Sequence, residues 1–168
     1  MSLSMYDASV TVFLHNLKQL SHLLDQGLAH ATATGIDPNT LVQAKLAEDM
    51  RPLSFQVQSA SDASKLAVAR LADMTAPVFA DTETTFEQLQ ERIANTRTFL
   101  QSVTREAFDG SETRAFSIKM RSGEVNFVGQ PYLLHFALPN FFFHVTAAYA
   151  ILRNAGVPVG KRDFLGSV

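Results

Sequence analysis

The sequence contains no cysteine and no tryptophan, and only 18% of its 168 residues are charged. Without cysteine the chain has no disulfide, no thiolate metal ligand and no cysteine nucleophile. Its 14 Lys and Arg against 16 Asp and Glu give a net charge of −2, so no nucleic-acid partner is expected. An apolar fraction of 46% excludes intrinsic disorder, and the length predicts a single domain over residues 1–168.

One long stretch lacks charge altogether, because residues 131–152 include no Asp, Glu, Lys or Arg. A stretch of that length could cross a bilayer. Pro139 interrupts it, and His135 and His144 would each need a polar partner in lipid. We therefore expect a buried core helix and no membrane partner. The first dozen residues do not form a signal sequence, so a cytoplasmic location is expected.

Apolar residues recur at three- and four-residue spacings in four segments, which predicts four long amphipathic helices. Gly35 is expected to end the first helix, and Asp37 to cap a short helical piece that runs to Leu46. Thr84 and Glu87 are expected to form a capping box at the third helix, and Asn140 to cap the fourth. The predicted helices cover residues 5–34, about 49–74, 84–107 and 140–154.

Residues 115–129 change to a period of two, on either side of a turn at residues 121–124. This alternation predicts a β-hairpin between the third and fourth helices. The tail, residues 157–168, is expected to be an irregular strap with Phe164 as its anchor. Together these elements predict an all-α four-helix bundle with a small hairpin.

Five polar residues are candidates for a functional site. His144 lies at the edge of the fourth helix's apolar stripe, where it would be a metal ligand, a general base or a hydrogen-bonded core residue. Asp49 and Gln56 are seven residues apart on the second helix, so they are expected to share a partner across a helix seam, or else to be a helix-start aspartate and a surface glutamine. Tyr149 and Arg153 are one turn apart on the fourth helix and are candidate ligand contacts. Alternatively, Tyr149 packs in the core and Arg153 is a cation near the C-terminus of the helix.

The remaining histidines, charged residues and phenylalanines indicate which helix faces meet solvent and which meet other parts of the protein. His15, His22 and His30 fall on the solvent side of the first helix, and Asp62 and Arg70 on the outer arc of the second. No H-x-x-x-H, H-E-x-x-H or glycine-rich phosphate motif is present. No metal is therefore predicted, and His144 is the only plausible ligand for one. Residues 141–143 are three phenylalanines covering an arc wider than one stripe. The extra face, with Phe143, is expected to meet the hairpin, the tail or another subunit, and a homodimer is expected.

Several segments resemble an uncharacterised family, the domain of unknown function numbered nineteen ninety-three, within the DinB/YfiT-like superfamily of metalloenzymes. The matching segments are LAEDMRPL at residues 46–53, QVQ at 56–58, RLA at 70–72, LPNFFFHV at 138–145, AYAILR at 148–153, GV at 156–157 and GKRDFL at 160–165. The resemblance implies an up-down-down-up four-helix bundle that is often dimeric.

The resemblance also implies a divalent metal held by three histidines, one on the second helix and two in an H-x-x-x-H on the fourth. Members with known activity are transferases, isomerases or hydrolases. In this sequence His144 matches the first fourth-helix ligand, but Ala148 occupies the second position. The second helix has no histidine, and Gln56 or Asp49 is its nearest polar substitute. The implied metal site is therefore degenerate.

Three hypotheses follow, and whether the protein is an enzyme stays open. In the first, a polar pocket binds a small molecule, His144 is its acid/base or hydrogen-bonding group, Asp49 orients His144, and Gln56, Tyr149 and Arg153 contact the ligand. In the second, the protein is a divalent-metal-dependent transferase or hydrolase with His144 as a ligand. In the third, it is a non-enzymatic dimeric structural or interaction protein.

Overall fold

The structure, a computed structural model, describes residues 3–120 and 123–166. It contains the predicted four long helices and the hairpin. The elements are α1 Val12–Thr34 after a π-helical turn Asp7–Thr11, α2 Pro38–Val42, α3 Leu53–Leu71, α4 Phe86–Ser102, β1 Ala115–Met120, β2 Gly123–Val128, α5 Gly129–Tyr132, α6 Leu138–Asn154 and α7 Lys161–Leu165.

The contacts between helices give the direction of each. Phe13 near the start of α1 packs on Phe141 near the start of α6, with ring centroids 4.9 Å apart. Gly27 near the end of α1 lies against Leu152 near the end of α6 and Phe86 at the start of α4. Helix α1 is therefore parallel to α6 and antiparallel to α4.

Helices α3 and α4 run in the same direction. Glu83, three residues before α4, accepts a 2.9 Å hydrogen bond from Gln58 in the first turns of α3. The connection between the two helices therefore returns along the length of the bundle. With the α1 and α6 directions, this gives the up-down-down-up arrangement that the resemblance implied.

A buried arginine holds this return connection against the bundle. Arg92 on α4 donates to the carbonyl of Ala80 at 3.1 Å and to Glu83 at 2.8 Å, and it pairs with Asp81 at 2.9 Å. Its other terminal nitrogen reaches Asp62 on α3 at 2.8 Å. Because the guanidinium is fully charged and out of water, it depends on these partners.

The hairpin packs over one side of the bundle. Strands β1 and β2 pair antiparallel from Ala115 opposite Val128 to Met120 opposite Gly123. Phe116 on β1 packs against the core. The predicted turn includes Arg121 and Ser122, which lie outside the described residues.

Gly129 fixes the junction between the hairpin and the helix that follows. Its backbone N–H donates to the carbonyl of Arg114 at 2.9 Å. A β-carbon at this position would collide with the backbone carbonyl of Ser111. Only glycine allows the two segments to approach this closely.

The predicted fourth helix is longer than its pattern indicated. Helix α5, a π-helical turn Leu133–Ala137 and α6 form one continuous helical segment, hereafter the 129–154 helix. Asn140 is therefore inside the helix and is not its N-cap. Pro139 lacks an N–H and its ring would clash with the preceding turn of a regular α-helix, and the π-turn directly before it provides the wider spacing that a proline needs.

Two of the predicted helix boundaries are confirmed. Gly35 ends α1 in the left-handed conformation at φ 72°, and Asp37 caps α2 by accepting from the N–H of Asn39 at 3.0 Å. Helix α2 nevertheless ends at Val42, short of Leu46.

Other predicted boundaries are wrong. The capping box of α4 is formed by Thr85 and Gln88, one residue later than predicted. Helix α4 ends at Ser102, and a 3-10 turn Glu106–Phe108 follows it. The predicted irregular strap contains helix α7, whose first turn is closed by the Asp163 side chain accepting from the N–H of Gly160.

One face of the charge-free stretch lies in the core. Its largest inward side chain, Phe141, is fully buried, as are Val145, Ala148 and Leu152. Within the described residues, no helix has the length and apolar character needed to cross a membrane.

Candidate functional site

A cleft of about 270 Å³ lies between α3 and the 129–154 helix, with Ile118 of β1 at its edge. Each helix contributes one stripe of residues spaced mainly by three or four positions, as expected for a single helical face. The lining residues are Ser59, Asp62, Ala63, Leu66 and Arg70 from α3, and Tyr132, Phe136, Ala137, Asn140 and His144 from the 129–154 helix.

His144 is held at one end of this cleft by Gln56. The imidazole Nδ1 is 2.9 Å from the side-chain oxygen of Gln56, and the side-chain nitrogen of Gln56 donates to the carbonyl of Arg51 at 3.0 Å. Because that amide nitrogen is occupied as a donor, the oxygen is the atom that faces His144, and the imidazole must donate from Nδ1. The neutral ring therefore carries its lone pair on Nε2.

Burial lowers the pKa of His144 below the ordinary histidine value, because a charged imidazolium loses hydration there. The ring is also flanked edge-on by Phe55 and Phe143, at centroid distances of 6.2 and 5.3 Å. None of the hydrogen bonds among the described residues uses its Nε2. A neutral imidazole with an unused Nε2 is equipped to accept a hydrogen bond or a proton.

Arg70 and Tyr132 form the opposite end of the cleft. The Arg70 guanidinium donates to the Tyr132 hydroxyl at 2.8 Å. Burial raises the pKa of Tyr132, partly offset by the positive charge of Arg70, so the phenol stays protonated at neutral pH. With the pair Gln56 and His144, this contact shows that α3 and the 129–154 helix are antiparallel.

Asp62 lines the cleft between these two ends, but its charge is already compensated. One carboxylate oxygen pairs with Arg92 at 2.8 Å and with the buried amine of Lys65. Phe79 from the return connection covers both cations, with its ring centroid 4.4 Å from the Lys65 amine. This carboxylate is committed to a structural ion-pair network.

The sequence analysis missed this half of the cleft. It placed Asp62 and Arg70 on a solvated outer arc, and the structure contradicts that placement, because both line the cleft. Ser59 and Ala63, four residues apart and next to Asp62, were the available signal, since small residues leave room beside a helix. Nothing in the periodicity indicated that Tyr132 would meet Arg70.

Asp49 does not reach His144. It lies exposed in a turn before α3, because Pro52 sets the start of that helix and Leu53 is its first residue. The expected stacking of Asp49 on Gln56 along one helix is therefore wrong. Among the described residues, no hydrogen bond joins Asp49 to His144.

Tyr149 and Arg153 also lie away from the cleft. Tyr149 is five residues after His144, about 140° around the helix, and its ring packs on Phe164 of α7 at 5.8 Å. Arg153 is exposed near the end of α6. Their expected contact with the same ligand as His144 is not supported by these positions.

Two histidines on the solvent side of α1 have partners in α7. His22 Nε2 is 3.0 Å from the Asp163 carboxylate, and His15 Nε2 is 2.8 Å from the carbonyl of Leu165. The hydrogen bond from His22 lowers the pKa of Asp163. These contacts attach α7 to α1.

The donor set around His144 does not fit the three-histidine metal site of the superfamily. Throughout residues 3–120 and 123–166, no three His, Cys, Asp or Glu side chains converge as a metal group requires. Nδ1 of His144 faces an amide, and Asp62 already balances two cations. A single imidazole with neutral oxygen donors is a weak site for zinc or nickel.

Comparison with known proteins identifies the fold class first. A crystal structure of a DinB family member protein from Shewanella denitrificans aligns with a TM-score of 0.91 and 37% identity, covering 98% of this chain and 93% of that one. The fold is therefore DinB-like. The family described as a domain of unknown function, DUF1993, matches residues 5–165, and the chain belongs to that family. No curated protein matches the chain significantly.

Proposed function

We propose that the cleft between α3 and the 129–154 helix binds a small organic molecule, and that His144 accepts a hydrogen bond or a proton from it at Nε2. The observation that carries this proposal is the chain of hydrogen bonds from Arg51 through Gln56, which directs the lone pair of His144 to Nε2. His144 is half-buried and lines the cleft, so the Nε2 lone pair is available to a molecule bound there.

Within this proposal Gln56 is a positioning residue, because its side chain is buried and both its polar atoms are occupied. Ser59 and Asn140 also line the cleft and offer uncharged polar groups to a bound molecule. A volume of about 270 Å³ has room for a ligand of on the order of ten non-hydrogen atoms. That is at the small end of ligand pockets.

A fragment-binding experiment tests the proposal. Fragments of this size are screened by ligand-observed NMR against the wild-type protein, Ala63→Phe and Ala94→Phe. Ala63→Phe places a ring inside the cleft, while Ala94 is exposed on α4 and serves as the matched control. We expect fragments that bind the wild type and Ala94→Phe but not Ala63→Phe, and that His144→Gln weakens.

If no fragment distinguishes Ala63→Phe from the control, the cleft is not a binding site and the polar cluster serves packing only. Elemental analysis of protein purified without chelator addresses the metal-dependent alternative. The donor set does not support that alternative, and less than about a tenth of a metal per chain is expected, because one imidazole cannot retain a divalent ion through purification.

We also propose that the protein forms a homodimer through α6, and that it is located in the cytoplasm. A groove beside α6 is lined by Leu46, Met50, Phe142, Phe143, Thr146, Ala147 and Ala150. Phe143 is 58% exposed. In this dimer the exposed ring of Phe143 from each copy packs against the groove of the other, as a two-fold interface requires.

A further inference from the structure

The end of the cleft opposite His144 carries a cation without a counter-charge. Arg70 takes part in none of the ion pairs among the described residues. Its one side-chain hydrogen bond is to Tyr132, a neutral phenol. Arginine in a half-enclosed cleft ordinarily pairs with a carboxylate or a phosphate, so the remaining guanidinium donors suit an anionic ligand group.

Tyr132 supplies a second donor at the same place. Its side chain is 2% exposed, and its hydroxyl oxygen accepts from Arg70. The hydroxyl proton has no acceptor among the described residues, although buried hydroxyls normally donate as well as accept. The rings of Phe116, Phe127 and Phe136 pack around Tyr132 at 4.9 to 5.8 Å and fix its position.

The middle of the cleft is mostly apolar. Ala63 and Leu66 face it from α3, Phe136 and Ala137 from the 129–154 helix, and Ile118 from the hairpin. A molecule that lies along this surface would keep an apolar body between two polar ends. The cleft therefore combines a cationic end, an apolar wall and a neutral acceptor at His144.

We propose that the cleft selects small monocarboxylic acids, with the carboxylate held by Arg70 and the Tyr132 hydroxyl and the apolar body directed toward His144. This inference rests on the proposed function, because it names the ligand class of the same site. One guanidinium matches one carboxylate in charge and in planar geometry. A phosphate dianion would keep a second negative charge that the single guanidinium does not match.

Calorimetric titration with three probes tests the ligand class. The probes are 3-phenylpropanoate, its uncharged amide 3-phenylpropanamide, and inorganic phosphate. We expect the acid to bind wild type at least about tenfold more tightly than the amide, because it gains charge-assisted hydrogen bonds. Arg70→Gln should reduce acid affinity to the level of the amide, and Tyr132→Phe should weaken it about fivefold. Arg153→Gln, which removes an exposed arginine outside the cleft, should bind the acid as wild type does.

If Arg70→Gln does not fold, Arg70→Lys takes its place, since it keeps the charge and loses the planar fork. A loss of about threefold or more for the acid with unchanged amide affinity is then expected, and unchanged acid affinity would contradict the proposal.

The outcomes separate this inference from the proposed function. Equal affinities for acid and amide, both abolished by Ala63→Phe, would refute the carboxylate preference and leave the binding cleft standing. Tighter binding of phosphate than of the acid would also refute it. If neither organic probe binds, the carboxylate proposal is overturned, and the fragment screen decides whether the cleft binds anything.

Discussion

Nδ1 of His144 lies 2.9 Å from the side-chain oxygen of Gln56, a contact between residues 88 positions apart in the chain. It joins the start of α3 to the middle of the 129–154 helix. Because the amide of Gln56 is itself held by the Arg51 carbonyl, the contact sets the tautomer of His144 as well as its position.

Replacing Gln56 by glutamate should raise the pKa of His144, which burial lowers. A carboxylate at hydrogen-bond distance favours the imidazolium, so we expect Gln56→Glu to raise the pKa of His144 by about one pH unit or more. Histidine titration by NMR measures this, with His135 as an internal reference because it is exposed on the same helix. An unchanged His144 pKa in a folded variant would show that the two side chains are not in contact.

The lowered pKa of His144 predicts a pH-dependent contribution to stability. Burial disfavours the charged ring in the folded state, so the unfolded chain takes up a proton more readily. The contribution is full above the unfolded pKa of about 6.5 and is lost as the pH falls through the lower folded value. We expect the free-energy difference between wild type and His144→Gln to fall between pH 7.5 and 5.5, by at most about 1.4 kcal/mol per pH unit.

Urea denaturation of both proteins at several pH values measures this difference. The other four histidines are present in both proteins, so their titration cancels. Asp62, Arg70 and Tyr132, which share the cleft with His144, have side-chain types that do not ordinarily titrate in this range. A free-energy difference between wild type and His144→Gln that stays constant or grows as the pH falls would contradict the burial of a neutral His144 ring.

Arg92 should be among the most sensitive positions in the protein. Arg92→Leu leaves Glu83 without its buried cation and Asp62 with Lys65 alone, and we expect a loss of about 3–5 kcal/mol in the free energy of unfolding. Denaturant unfolding followed by circular dichroism measures it. Arg105→Leu is the matched control, since that arginine pairs with Asp7 on the surface and should change stability little. Similar losses in the two variants would mean that the ion pairs of Arg92 stabilise the fold no more than a surface pair does.

The homodimer proposal predicts that Phe143→Asp changes the size of the particle. A buried charge at the centre of an apolar interface is strongly unfavourable, so this variant should be monomeric. Light scattering after gel filtration should give twice the 18.5 kDa of one chain for wild type and a single chain for the variant. Val78→Asp, at a position 94% exposed on the return connection, should remain dimeric. A wild-type protein that is monomeric at tens of micromolar would exclude the dimer.

Helix ends were predictable where a single residue sets the local backbone conformation. Gly35 adopts the left-handed conformation, and Asp37 caps its own local helix; both effects depend on neighbours in sequence. The start of α4 was displaced by one residue because consecutive threonines offer two capping frames, and the frame that forms is Thr85 with Gln88. The start of the 129–154 helix was missed because a π-turn compensates for Pro139.

The cleft was predictable only in part. Sequence pattern placed His144 and Gln56 at helix shoulders that face a seam, and the two side chains meet. The same pattern assigned Arg70 to solvent, because periodicity gives the direction of a residue only relative to its own helix. Whether that direction meets water or a neighbouring helix depends on where the hairpin and the return connection lie.

Residue type and local spacing are enough to predict the four amphipathic helices, the hairpin, the absence of thiolate chemistry and the incomplete histidine set. Which distant polar groups meet depends on how the helices pack. Gln56 reaches His144 and Arg70 reaches Tyr132 because α3 and the 129–154 helix pack antiparallel in one particular register. That register is set by the fit of side chains across the whole core, a property that no local segment encodes.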